Sequence, residues 1–262
     1  MDALPNFLVI GAARSGTNSL YRWLGQHPEI CVSPVKEPRF FAFEDAPPAF
    51  AGHKPDDYTD FPTWTSLAEY RRLFRPVAGQ RAVGEASTVY LYYPGERPAE
   101  RIRFHVPDAK LIAILRQPAE RAYSNYLLAV QHGWEPLPDF AAALAAEDER
   151  ARAGWSYFLR YRRNGLYHQQ LARFYARFPA MQIRVLLYDD LCARPLAVMR
   201  EVFAFLGVDD RFTPDVSRRH LRSGRTRSAA IARALASRHP LKLAVARRLP
   251  ARLRRVLRDG VE

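Results

Sequence analysis

Three short aliphatic, β-branched runs constrain this chain most: Phe-Leu-Val-Ile at 7–10, Lys-Leu-Ile-Ala-Ile-Leu at 110–115 and Gln-Ile-Arg-Val-Leu-Leu-Tyr at 182–188. Each reads as a buried strand and is followed by residues of helical period. The first leads into a helix over 17–24. The second leads into 118–130, where Pro118 suits a first helical turn. The third leads into 195–206, where Leu196, Met199, Val202, Phe203 and Leu206 recur at helical spacing and Gly207 stands ready to cap the end. Residues 81–85 add a shorter strand. Strands alternating with helices predict an α/β fold: a parallel β-sheet flanked by helices on both faces. The 262 residues suffice for one such core, hence a single domain. Between the elements, 43–65 and 131–154 are expected to be long irregular segments of the kind that form lids or binding surfaces.

Directly after the first strand stands Gly11-Ala-Ala-Arg14-Ser15-Gly16-Thr17-Asn18-Ser19. Two glycines between strand and helix let backbone N–H groups wrap an anion, and the helix N-terminus adds partial positive charge. A Walker-type loop for a nucleoside triphosphate needs Lys and then Ser or Thr after the second glycine. Thr17 and Asn18 occupy those places here, and the nearest cation is Arg14. The turn is P-loop-like but suits a shorter anion. A nucleoside or small-molecule kinase would share the sheet and the glycines, and the missing lysine counts against it. An ordinary glycine-containing turn is the plainer alternative.

The net charge of +13 is concentrated at one end. From Arg218 onward lie 14 Lys or Arg and 2 Asp or Glu, leaving 26 basic against 25 acidic groups before it. Because the body is nearly neutral, a specific nucleic-acid partner is not expected for it, although a nucleic-acid-binding protein that uses the tail is an alternative. Leu249, Leu253, Val256 and Leu257 recur at helical spacing among Arg248, Arg252, Arg254, Arg255 and Arg258. Such a basic helix docks its leucines on the core, the reading the residues favour, or touches an anionic membrane or an acidic partner. Residues 1–228 are therefore expected to form the folded domain and 229–262 a basic helical tail. Cys31 and Cys192 form no CxxC pair and suggest neither a disulfide framework nor a zinc site. The seven histidines show no HxH or HxxxH spacing, so no metal is expected. With no basic leader and no apolar run of membrane length, the expected location is the cytoplasm.

Further segments follow the loop in a telling order. Leu24-Gly-Gln-His27-Pro28 comes first, then Lys36-Glu37-Pro38-Arg39-Phe40-Phe41 and Gly84-Glu85-Ala-Ser87-Thr-Val-Tyr90-Leu91. Leu115-Arg116-Gln-Pro118, continuing to Arg121-Ala-Tyr123-Ser124, is next, with Gly165-Leu-Tyr167, Tyr188-Asp-Asp-Leu191 and Arg222-Ser223-Gly224-Arg225 after it. In this order and spacing, over most of 6–228, they resemble the sulfotransferases that use 3′-phosphoadenosine 5′-phosphosulfate (PAPS), especially the branch of heparan-sulfate sulfotransferases and their bacterial relatives.

The resemblance implies sulfuryl transfer from PAPS to a hydroxyl or amine acceptor: a carbohydrate, a lipid or a small metabolite. Arg14, Ser15, Gly16, Thr17, Asn18 and Ser19 would hold the 5′-phosphosulfate. Arg116 and Ser124 would hold the 3′-phosphate, with Tyr167 nearby and Ser223, Gly224 and Arg225 closing over the nucleotide. Arginine at the end of a buried strand suits this task, since its planar fork donates bidentately to phosphate. A surface ion pair of Arg116 with Glu120 is the alternative. Glu37 is implied as the general base, or else it stays ionised as the structural partner of Lys36 or Arg39. Arg14 stands where the family more often has lysine, and a guanidinium stabilises charge but is a poor proton donor, which leaves Arg14 or Lys36 to serve the leaving group. Glu85 and Ser87 are expected to shape the acceptor side, with a buried, hydrogen-bonded carboxylate as the alternative.

Overall fold

The computed structural model describes residues 4–51, 63–74 and 79–217. Ser223, Gly224, Arg225 and the basic tail lie outside the described residues. Five parallel strands, β1 (Phe7–Gly11), β2 (Ile30–Val32), β3 (Ala82–Ala86), β4 (Lys110–Leu115) and β5 (Ile183–Leu187), run in the order β2-β3-β1-β4-β5. β1 sits between β3 and β4, where the strand order reverses, and open α/β sheets bind ligands beyond the carboxyl ends at such a point.

Alternation along the strands builds two cores. Leu8 and Ile10 point into one with Phe40, Phe41, Tyr90 and Leu91, while Phe7 and Val9 face Leu20, Trp23, Met199 and Phe203 in the other. Both faces are thus covered, as the continuous apolar runs required. The helices are α1 (Thr17–Leu24), α2 (Phe40–Phe43), α3 (Leu67–Arg72), α4 (Val89–Tyr92), α5 (Arg97–His105), α6 (Pro118–Gln131), α7 (Phe140–Ala145), α8 (Glu147–Arg152), α9 (Tyr167–Tyr175), α10 (Tyr188–Ala193) and α11 (Pro195–Leu206). Pro118 opens α6, where the Gln117 side chain accepts the Glu120 N–H at 2.7 Å. Gly207 closes α11 at φ 81°, a left-handed conformation that favours glycine.

Three expectations change. β2 went unread because it has only three residues, two of them partly buried. β5 is an edge strand, with Ile183 and Leu186 buried on its two faces and Arg184 and Leu187 exposed; Tyr188 begins a helix instead of ending the strand. The segment 131–154 is not irregular, since it contains α7 and α8. It gains order from a buried pair: Arg150 donates to both oxygens of Glu135 at 2.8 and 2.7 Å, and the Tyr161 hydroxyl joins at 2.7 Å. Such long-range contacts leave no periodic trace in a sequence.

Candidate active site

The β1–α1 turn brings the anion-loop residues to the carboxyl edge of the sheet. Arg14 and Gly16 are both left-handed, at φ 69° and 88°. A side chain at Gly16 would also meet Leu191 Cδ2 at 2.8 Å, so the position requires glycine twice over. Thr17 and Ser19 turn inward, and Asn18 is partly exposed. Ser15 is fully buried, and its hydroxyl makes no hydrogen bond of good geometry among the described residues.

Arg14 reaches across to α6, where its Nε donates to the Ser124 Oγ at 3.1 Å. Two segments 110 residues apart thereby meet at one point. Burial, and then the nearby Arg116 and Arg121 charges, lower the Arg14 pKa to about 10, with Tyr188 opposing. Arg14 stays protonated at neutral pH and sits in a strongly positive field. Arg121 is itself fully buried, donating to Asn125 Oδ1 at 3.2 Å and to the Tyr161 carbonyl at 2.5 Å, while its Nε has no acceptor among the described residues. Arg116 forks onto Glu120 Oε2 at 3.1 and 3.0 Å and lies 4.7 Å over the Tyr188 ring. The surface ion pair read as an alternative is therefore present, and it is Arg14 that donates to Ser124. The Tyr167 hydroxyl donates to the Arg116 carbonyl at 3.0 Å and pins the strand end. Three neighbouring guanidiniums, a buried serine hydroxyl and a glycine cradle fit a phosphate or sulfate group well.

Glu37 lies on the loop before α2. Burial works to raise its pKa, but the Lys36 and Arg39 charges and hydrogen bonds from Lys36 and Thr88 outweigh it and hold the carboxyl below its ordinary value. Lys36 Nζ donates to Oε1 at 3.0 Å. The loop is strained: Glu37 and Arg39 have φ 63° and 61°, which costs about 1–3 kcal/mol each and persists only where surroundings enforce it. The enforcing element is the segment after β3. The N–H groups of Glu37, Arg39 and Phe41 donate in turn to the Ala86 carbonyl at 2.9 Å, Ser87 Oγ at 2.9 Å and Tyr90 Oη at 3.4 Å. Gly84 lets β3 pass close to β1, since a Cβ there would sit 2.4 Å from the Phe7 carbonyl oxygen.

Glu85 is sealed from solvent. It is fully buried beneath Tyr70 and Tyr90, whose hydroxyls donate to its Oε1 at 3.3 and 2.6 Å. The buried-carboxylate alternative holds for it. Sequence reading missed Thr88, although it follows Ser87 directly in a quoted segment, and gave Arg121 no role. Among the described residues no group of three or more His, Cys, Asp or Glu is arranged to hold a metal ion, and no helix is long and apolar enough to cross a membrane.

A sequence model of the sulfotransferase family matches residues 5–214. The chain belongs to the sulfotransferase family. A solved sulfotransferase from Alicyclobacillus acidocaldarius superposes with a TM-score of 0.77 and 42% identity, covering 82% of this chain and 86% of that one. The sulfotransferase domain from the curacin biosynthetic pathway shares the fold at 17% identity and a TM-score of 0.54, over 92% of this chain and 86% of that one. The bifunctional heparan sulfate N-deacetylase/N-sulfotransferase of Drosophila melanogaster is 32% identical over 213 residues, which is 79% of this chain and 20% of that protein. This sulfotransferase chain therefore spans about a fifth of the length of that curated relative.

Proposed function

We propose that this chain transfers a sulfuryl group from PAPS to a hydroxyl or amine of a carbohydrate, lipid or small metabolite. The observation that carries the proposal is the Arg14–Ser124 contact at 3.1 Å, which joins the anion loop to the segment beginning at Arg116. When bound, PAPS supplies an activated sulfuryl group on a phosphate leaving group. Backbone N–H groups of residues 15–19 and the Arg14 guanidinium hold the 5′-phosphosulfate. Arg116 and Ser124, with Ser223, Gly224 and Arg225, hold the 3′-phosphate, and Tyr167 braces the Arg116 backbone. Glu37, ionised at neutral pH, takes the proton of the acceptor. Arg14 stabilises charge on the leaving phosphate without giving up its own proton, and Lys36, 3.0 Å from Glu37, supplies a second cation.

Likeness to a protein named for N-sulfation of heparan sulfate supports a carbohydrate amine or hydroxyl among the acceptors. The family match ends at 214, which supports residues 1–228 as the catalytic unit and 229–262 as an added basic tail able to touch an anionic membrane or an acidic partner. The cysteine usage, two residues far apart with no CxxC pair, supports a cytoplasmic setting. The kinase alternative is not favoured.

Calorimetry with nucleotides tests the donor. 3′-Phosphoadenosine 5′-phosphate is expected to bind more tightly than ADP or ATP, and Arg116→Ala to remove most of that preference. Equal affinity for all three nucleotides would sink the PAPS assignment.

A further inference from the structure

The Lys36–Phe41 turn owes its shape to acceptors that Glu85 organises. Tyr90 has a single hydroxyl hydrogen, and it is committed to Glu85 Oε1 at 2.6 Å. The lone pairs of that hydroxyl are thereby turned toward the Phe41 N–H, 3.4 Å away. The Ser87 hydroxyl likewise interacts favourably with Glu85 while its oxygen accepts the Arg39 N–H at 2.9 Å. Glu85 is fully buried, and its Oε2 has no hydrogen-bond partner among the described residues. A carboxyl group kept there at such a cost, away from solvent, is explained by the groups it orients.

We infer that Glu85 is a positioning residue: through Tyr90 and Ser87 it holds the left-handed turn that aims the Glu37 carboxylate. This rests on reading Glu37 as the base, but the mechanical part can be tested without that reading. The titratable groups facing Glu85 are Tyr90 on α4, Tyr70 on α3, Tyr21 on α1 and Glu37 on the loop. Burial pushes the Glu85 pKa up to about 8, against the Tyr90, Ser87 and Tyr70 hydroxyls and with added repulsion from Glu37. Glu85 therefore carries its proton throughout the acid range in which Glu37 titrates. A change in Glu37 titration on altering Glu85 then reports geometry and not lost charge.

The experiment is a carbon-13 NMR titration of the Glu37 side-chain carboxyl, assigned by its loss in Glu37→Gln, in the full chain and in Glu85→Ala, Glu85→Gln and Tyr90→Phe. Binding of 3′-phosphoadenosine 5′-phosphate is measured alongside by calorimetry. In Glu85→Ala and Tyr90→Phe, Glu37 is expected to move up from its depressed value into the ordinary carboxylate range, with nucleotide affinity kept within about two-fold. Glu85→Gln, which keeps an oxygen acceptor for Tyr90, is expected to restore the depressed titration. An unmoved Glu37 in Glu85→Ala or Tyr90→Phe overturns the inference. Should Glu85→Ala not fold, Tyr90→Phe and Ser87→Ala decide by the same readout. A moved titration together with undiminished turnover in Glu37→Gln would keep this role for Glu85 and remove the base assignment alone.

Discussion

Thr88 meets the Glu37 carboxylate twice: its N–H donates to Oε2 and its hydroxyl to Oε1, each at 3.0 Å. Two donors from one residue set the direction of the carboxylate as well as its charge. Replacing Glu37 with Gln is expected to lower turnover by about 10² or more, the scale of losing a general base, with nucleotide affinity retained. Thr88→Val keeps the backbone donor and removes the hydroxyl. It is expected to slow turnover less than Glu37→Gln and to shift the acid limb of the rate profile upward. Initial rates with PAPS and any acceptor the chain sulfates check both; near-normal turnover in Glu37→Gln moves the base elsewhere.

Arg116 is engaged by Glu120 across a pair with side chains 21% and 58% exposed. A phosphate on Arg116 must compete with that carboxylate. Since exposed pairs spaced i,i+4 are worth about 0.4 kcal/mol, Glu120→Gln is expected to tighten 3′-phosphoadenosine 5′-phosphate binding by about two-fold. Weaker binding would show instead that Glu120 holds Arg116 in its working orientation.

Glu85 and Glu37 make opposite contributions to stability against pH. The Glu85 pKa is raised to about 8 in the fold, so it binds a proton more tightly there than in the unfolded chain. Its contribution is complete below the ordinary carboxylate value and is lost as pH rises through about 8. Glu37 is depressed, so its contribution is present above the ordinary value and lost as pH falls through the lower folded one. Thermal unfolding should therefore show a decline toward alkaline pH that Glu85→Gln flattens, and an acid decline that Glu37→Gln flattens. An alkaline limb unchanged in Glu85→Gln would mean that Glu85 is not the group titrating there.

The tail carries a net +12 beside a body that is nearly neutral. If the tail docks its leucines on the core, as its spacing favours, truncation after Ser228 is expected to lower the melting temperature. The full-length chain is expected not to pellet with anionic vesicles. Salt-sensitive pelleting that truncation abolishes would assign the tail to a membrane surface instead, since exposed charges are screened over about 10 Å at 0.1 M salt.

What the sequence determined by itself was local. Strand and helix alternate because side-chain period and turn residues act within a few positions, which is why 17–24 and 195–206 emerge as helices with the same bounds in the structure. The order of landmarks was equally readable, and with it the family. The tertiary structure decided which landmarks touch. Arg14 meets Ser124 over 110 residues because β1 lies beside β4, and Glu37 meets Thr88 over 51 because β2 lies beside β3, an order that no local pattern specifies. The same holds for Glu85, readable from its segment as an acceptor-side group or as a buried acid. Only the packing of Tyr70 and Tyr90 over it removes it from solvent, and that packing depends on the sum of contacts across a core rather than on any neighbour in the chain.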